Sequence, residues 1–382
     1  MMNCCRKLRK VMRKVNKLNY IPQRLRDARI ASGQTIKSVA EQLGITSQAL
    51  SLFERGGCTA SAEKFFQLKN IYGFPLSFYQ SANLDSIKRG AVFFRKFSAA
   101  TKHEREQSLK IADMIAATVV GFFTDKIKLP PVDKSFGDIK TSVNIEKKRE
   151  PELWAKLIRR AWKLPAGPIS NLTLEAERRG ILVVVIPLDS QRVDGFSFWE
   201  GGRPYIFANT NNSPARLRMS IAHEICHLYF HNSEMAEDDL KIMEKEAKIF
   251  AGAFLLPQNE FMSDIISSSL NTFRYLKPKW KVSIAAMVLR AKELEIISDD
   301  KYEYLQKQIS RKHWRKVEPG DNDMSHEKPV LIKQSIELLV NNNIFSRRDI
   351  IDSISLPADL IEEAASLPKG YFDAECQLVS KV

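Results

Sequence analysis

Six consecutive aliphatic residues, Ile181-Leu182-Val183-Val184-Val185-Ile186, follow directly on Gly180, and this run constrains the fold more than any other feature of the chain. A stretch so rich in stiff β-branched side chains reads as a strand buried on both faces, with Gly180 closing the helix before it. Two further strand candidates follow at residues 193–198 and 204–208, separated by the turn Glu200-Gly201-Gly202. Elsewhere apolar residues recur mainly at helical spacing, over 153–162, 172–179, 215 to about 254, 284–294 and 329–340. The expected class is therefore α+β and mostly helical, with one small sheet set among helices.

A chain of 382 residues can build two or three cores, and its 44% hydrophobic content excludes a disordered or low-complexity protein. The longest nearly apolar run, residues 114–123, is about half of what a bilayer crossing requires, so no membrane span and no membrane partner are expected. Five cysteines without repeated spacing, and an N-terminus lacking an apolar signal region, fit a reducing cytoplasm. The best boundary is Leu129-Pro130-Pro131, which stops helical structure ahead of a polar stretch reaching Pro151. The reading divides the chain into a basic arm (1–20), an all-α helix-turn-helix domain (21–80), a helical connector and linker (81–150), a domain with the small sheet (151–262) and a helical C-terminal extension (263–382).

The net charge of +14 sits mostly at one end: the first 80 residues carry +10 and the remainder +4. Within the arm, Leu8, Val11, Met12, Val15 and Leu18 recur at helical spacing, so a basic amphipathic helix can form there. Next, residues 36–43, the turn Gly44-Ile45-Thr46 and residues 47–54 read as helix, tight turn, helix. Gly44 permits a left-handed turn, Thr46 is a good N-cap, and Ile45 and Leu50 supply apolar contacts between the helices. That leaves Ser47, Gln48 and Ser51 on the exposed N-terminal face, where a major-groove helix presents side chains to base edges, while Lys37 and Arg55 suit phosphates. Residues 21–80 resemble the phage-repressor-like, Xre-type helix-turn-helix family through Arg24-Leu25-Arg26-Asp27-Ala28-Arg29, Val39-Ala40, Leu43-Gly44 and Leu50-Ser51-Leu52-Phe53-Glu54-Arg55-Gly56. The resemblance implies a double-stranded DNA operator contacted by Lys37, Thr46, Ser47, Gln48, Ser51 and Arg55, and a homodimer binding two half-sites.

A second motif, His223-Glu224-Ile225-Cys226-His227, falls in the helical stretch after the strands. With six histidines in the chain, chance alone would produce such a pentad in roughly one sequence of this kind in two hundred. Four residues advance a helix by about 400°, so both imidazoles leave one face and can share a tetrahedral Zn²⁺. Glu224, beside the first imidazole, can reach a water on that ion and serve as general base. A third protein ligand is needed, and the candidates are His231, Glu234, Glu237, Asp238, Asp239, Glu244 and Glu246. His231 is one turn too far along the same helix and suits a cap or a supporting role. A returning helix with Ala247, Phe250, Ala251 and Phe254 as its buried stripe brings Glu246 to the stripe's border, with Glu244 as the fallback. Cys226 reads as a small buried hydrophobe.

These residues also resemble the ImmA/IrrE family of zinc metallo-endopeptidases, through Gly167-Pro168-Ile169, Asp194-Gly195-Phe196-Ser197, residues 218–228 and residues 246–257. The resemblance implies a zincin-like α+β domain with Zn²⁺ held by His223, His227 and Glu246 and with Glu224 catalytic. Tyr229, His231 and Tyr205 are candidates to stabilise the oxyanion, and a peptide could add as a strand at residues 204–208. The favoured function is a cytoplasmic DNA-binding regulator fused to a zinc endopeptidase that cleaves a repressor or antitoxin. The alternatives are a repressor or antitoxin whose metal domain senses or scaffolds without cleaving, and a binding-only regulator of a toxin.

Overall fold

The computed structural model describes residues 20–81, 101–142, 149–188, 193–231 and 239–373. The basic arm and its expected helix lie outside the described residues but for Tyr20. The chain divides into two compact units, one comprising Met1–Lys88, Thr101–Lys128 and Gln334–Val382, the other Arg89–Ala100 and Leu129–Lys333. The division after Lys128 falls at the Leu129-Pro130-Pro131 stop.

The first unit is helical. Ser and Thr N-caps alternate with glycine stops: Thr35 opens the Ile36–Leu43 helix and Gly44 (φ +61°) ends it, Thr46 opens Ser47–Arg55 and Gly56 ends it, and Ser61 opens Ala62–Tyr72. Each cap hydroxyl accepts a backbone N–H that the first turn would otherwise leave unpaired. Leu25, Ala28, Val39, Leu43, Leu50, Phe65 and Leu68 form the core beneath these helices and the Pro22–Ala31 helix. A buried ion pair joins two of them, Arg29 Nε to Glu54 Oε1 at 2.6 Å and Nη2 to Oε2 at 3.0 Å.

The helix starting at Lys102 is more than a connector. Lys110 pairs with Asp27 at 3.0 Å, the His103 ring bonds the Gly33 carbonyl at 2.9 Å, and Gln107 Nε2 donates to the Ala31 carbonyl, so this helix packs on Pro22–Ala31. It turns π-helical over Ile115–Val120 before closing at Thr124.

The second unit has a three-stranded mixed sheet in the order β1-β3-β2, with β1 Leu182–Ile186, β2 Gly195–Glu200 and β3 Arg203–Asn209. β1 runs parallel to β3, and β2 runs antiparallel to it with Ser197 opposite Ile206. Gly195 is required where the backbones close in, since a Cβ there would lie 2.7 Å from the Phe207 carbonyl oxygen. One sheet face, through Val183, Val185, Ile206 and Ala208, joins a core with Ile221 and Ile225 of the Pro214–Phe230 helix and Phe250 and Phe254 of the Asp239–Leu255 helix. The expected α+β, mostly helical class with a small sheet is what the structure has.

Two expectations change. Residues 204–208 belong to the central strand, hydrogen-bonded on both sides, so no peptide can add there; the edges are β1 and β2. The C-terminal extension is not one body either. Phe273, Leu276, Trp280, Ile284, Met287 and Ile309 are buried in the sheet unit's core, which carries that unit to Lys333, whereas residues from Gln334 group with the first unit.

Candidate metal centre

Ser213 caps the Pro214–Phe230 helix and Pro214 occupies its first turn, a start that fixes the helix's phase. Ile221, Ile225 and Leu228 of that helix are buried in the core, and His223, Glu224 and His227 are each only 2% exposed. The two imidazoles face one another, Nε2 to Nε2 at 3.0 Å. From the Asp239–Leu255 helix, Glu244 places Oε2 3.5 Å from His223 Nε2 and Oε1 3.4 Å from His227 Nε2. These three residues form a group whose ligand atoms lie within 4.8 Å of one another.

The spacing fits zinc. Ligands about 2.0–2.1 Å from a tetrahedral ion stand about 3.3–3.4 Å apart, close to the three separations here, and two nitrogens with one carboxylate oxygen are a catalytic donor set that leaves a fourth position open. Burial alone would raise the Glu244 carboxyl, but hydrogen bonds and charge from His223 and His227 outweigh it and hold the group well below the usual carboxylate range. It is an ionised carboxylate beside two imidazoles. A cavity of about 290 Å³ opens at His223, walled by Met219, Ala251, Gly252, Ala286 and Leu289.

Glu246, expected as third ligand, is elsewhere. Its Oε2 lies 3.1 Å from His231 Nε2 and its Oε1 3.5 Å from Arg149 Nε. The correction is one of helix phase: residues two apart point about 160° apart around the axis, so Glu244 and Glu246 cannot face the same point. His231, the C-cap of its helix, turns its ring back onto His227, Nδ1 to Nδ1 at 2.8 Å. Burial lowers its pKa, against an opposing pull from Glu246. Of the other ligand candidates, Glu234, Glu237 and Asp238 and the side chain of Asp239 lie outside the described residues.

Glu224 is held by a residue to which the sequence reading gave no role. Ser197 Oγ donates to Glu224 Oε2 at 2.8 Å from strand β2, and both side chains are buried. The alternation Phe196-Ser197-Phe198 carried the signal: the flanking rings stack with Phe207 and Tyr205 on one face, which turns Ser197 to the other. The same alternation puts Tyr205 on the face away from Glu224, and burial pushes its hydroxyl up to about 12. Tyr229 is also engaged away from the site, its hydroxyl bonded to Ser135 Oγ and accepting from Trp162 Nε1, both at 2.8 Å. None of the three oxyanion candidates is thus free to serve, since His231 bonds His227 and Glu246. Cys226 is fully buried, and burial pushes its thiol well above the ordinary range, as a small core hydrophobe requires.

In the first unit, Lys37, Thr46, Ser47, Gln48 and Arg55 are exposed and Ser51 is half-buried. Thr46 Oγ1 is used as the cap, accepting from Ala49 N at 3.1 Å.

Residues 176–292 match the family model of the IrrE N-terminal-like domain, so the chain contains an IrrE-like metallopeptidase domain. The match begins near the end of the Leu172–Arg178 helix, later than the expected boundary at 151, and runs to 292, past the expected boundary at 262. No helix-turn-helix family model matches the chain. No curated protein matches it. Among the described residues, no helix is long and apolar enough to cross a membrane.

Proposed function

We propose that this chain is a zinc-dependent endopeptidase that cleaves a regulatory protein of the repressor or antitoxin type, fused to a domain that binds duplex DNA. The observation that carries the reading is the buried His223, His227 and Glu244 group with Glu224 fixed beside it by Ser197. Zn²⁺, held by those three residues, would polarise the scissile carbonyl and bring the pKa of a bound water toward neutrality. The chain's own residues do the proton work. With Oε2 tied to Ser197, Glu224 takes the proton of the attacking water at Oε1 and passes it to the leaving amine. Strand β2, an edge strand whose Ser197 touches the base, supports binding of the substrate in extended form beside it.

The DNA-binding half of the reading rests on the capped Ile36–Leu43 and Ser47–Arg55 helices, the left-handed Gly44 between them and the exposed Ser47 and Gln48 at the second helix's start. Fusion raises the protease's effective concentration near a DNA-bound substrate.

The test is Glu224→Gln in the full chain, with new protein termini mapped in cells carrying either form. Wild type should create termini that the variant does not, while both bind one equivalent of zinc. Identical termini from the two forms refute the endopeptidase, and a zinc-loaded wild type that creates none favours the sensor or scaffold.

A further inference from the structure

The cavity that opens at His223 extends along two helices. On Pro214–Phe230, residues Arg216, Met219, Ser220 and His223 line it, and on Asp239–Leu255, Lys248 and Gly252 follow Glu244 at four-residue steps, so each set lies along one side of its helix. The Ile284–Glu293 helix closes it with Ala286 and Leu289. Asp194, directly before strand β2, also lines it, so a substrate laid along β2 passes its mouth. Its volume of about 290 Å³ is at the small end of ligand pockets and suits a single side chain.

Gly252 is the informative wall residue. Glycine is the poorest helix former after proline, and the backbone does not call for it here, because Gly252 lies inside a helix without a positive φ. No close neighbour requires it either: a Cβ there would meet Glu293 Oε2 at 3.7 Å and Arg290 Cδ at 3.8 Å, ordinary contact distances. What the missing side chain leaves is space in the cavity. The charges around that space are mostly spent. Arg216 pairs with Asp194 at 2.7 Å, and Arg290 bonds Glu152 through both Nη atoms and stands 3.7 Å from Glu293. Lys248 alone among the cavity's cations has no ion-pair partner among the described residues.

We propose that this cavity is the subsite for one of the two substrate side chains flanking the scissile bond, and that it takes a bulky apolar one such as leucine, methionine or phenylalanine. Gly252 sets its depth. Lys248 turns basic side chains away, since a lysine or arginine entering the cavity meets a like charge that no acid neutralises. The proposal rests on the reading of His223, His227 and Glu244 as the metal centre of an endopeptidase.

The experiment titrates the zinc-loaded full chain with three hydroxamates that share one metal-binding head: acetohydroxamate, 4-methylpentanohydroxamate and 5-aminopentanohydroxamate. Wild type should bind the branched probe about 10–100-fold tighter than acetohydroxamate, the scale set by burying two or three of its added carbons. The aminoalkyl probe should bind no tighter than acetohydroxamate. Gly252→Leu, which fills the cavity with a good helix former, should keep zinc and acetohydroxamate and lose the gain. Lys248→Met should bind the aminoalkyl probe about fivefold tighter than wild type does, the worth of one like-charge contact in water. In cells, termini made by wild type should carry leucine, methionine or phenylalanine on one fixed side of the cut, and those made by Gly252→Leu a small residue there.

Equal wild-type affinities for acetohydroxamate and the branched probe, or a gain that Gly252→Leu retains, overturn the subsite, and the first of these requires no variant to fold. An aminoalkyl probe that binds wild type as tightly as the branched one overturns the selection by charge. A chain that shows the gain but creates no termini supports the cavity's preference and refutes the endopeptidase, whereas one that binds no zinc refutes the metal centre and the subsite with it.

Discussion

Removing the Glu54 carboxylate should unfold the first unit at far lower denaturant than the second. Arg29 and Glu54 form a two-pronged pair with side-chain exposures of 9% and 4%, and Arg29 Nη1 also donates to the Gln34 carbonyl at 3.0 Å. Glu54→Ala strands a guanidinium in the interior without its counter-charge, a change that costs about 3–5 kcal/mol. At a urea m value of about 2 kcal/mol/M, the unit's midpoint falls by roughly 1.5–2.5 M. The molecule supplies its own reporters, because all five tryptophans (154, 162, 199, 280 and 314) lie in the second unit. Circular dichroism reads helices of both units and tryptophan fluorescence reads the second. Glu54→Ala should move the early part of the dichroism transition and leave the fluorescence midpoint in place. Replacing both partners, Arg29→Met with Glu54→Leu, should recover most of the loss, because an apolar pair of similar size strands no charge. A shift under about 0.5 M, or a double variant as weak as the single one, refutes the claim that a buried unpaired charge sets the cost.

Three further outcomes are expected. Burial pushes the Glu177 carboxyl up to about 7, against hydrogen bonds from the Val330 and Leu331 N–H groups. The folded state therefore binds this proton more tightly than the unfolded chain, so stability falls as pH rises from about 4.5 to about 7, by up to about 3 kcal/mol. Urea unfolding across that window should show the difference between wild type and Glu177→Gln changing by this amount, and a constant difference excludes Glu177 as the cause. Ser197→Ala should slow single-turnover cleavage of the mapped substrate about 10–100-fold, the loss of one hydrogen bond to a charged group, with zinc content unchanged. Gln48→Ala should weaken operator binding by about 1–3 kcal/mol and relax specificity at one base, whereas Lys37→Ala should weaken all sequences alike and flatten the salt dependence, both read by titration at several salt concentrations.

Local chemistry made much of the fold legible. The 181–186 run, the turn glycines at 201 and 202 and the caps Thr46 and Gly44 each act within a few residues, and the strands and helices they predict are present. The pairing of His223 with His227 is equally local, a single helical turn. Strand order is not: residues 204–208 become the central strand because β1 and β2 both pair with β3, a choice made across some twenty residues and invisible in any one segment. The extension past residue 262 failed as a boundary for a related reason. Phe273, Leu276 and Trp280 lie on the Leu270–Trp280 helix, to which the sequence reading gave no element, and their spacing alone does not tell whether their partners are one another or the sheet unit's core.

The choice between Glu244 and Glu246 shows where sequence reasoning stops. Taking about 100° per residue, the buried stripe of Met243, Ala247, Phe250, Ala251 and Phe254 centres on one direction, and Glu244 and Glu246 each stand about 80° from it on opposite sides. The stripe's periodicity is blind to which flank meets the histidines, because that depends on how the Asp239–Leu255 helix lies across Pro214–Phe230. Packing decides it, and it does so with both carboxylates in use. One flank delivers Glu244 to His223 and His227, and the other delivers Glu246 to His231. A carboxylate at either position alone would leave a buried imidazole of the 223, 227 and 231 series without its acidic neighbour, an arrangement a low-dielectric interior penalises. The two acids spaced by one residue are therefore explained together, as the charges required by three imidazoles stacked one turn apart.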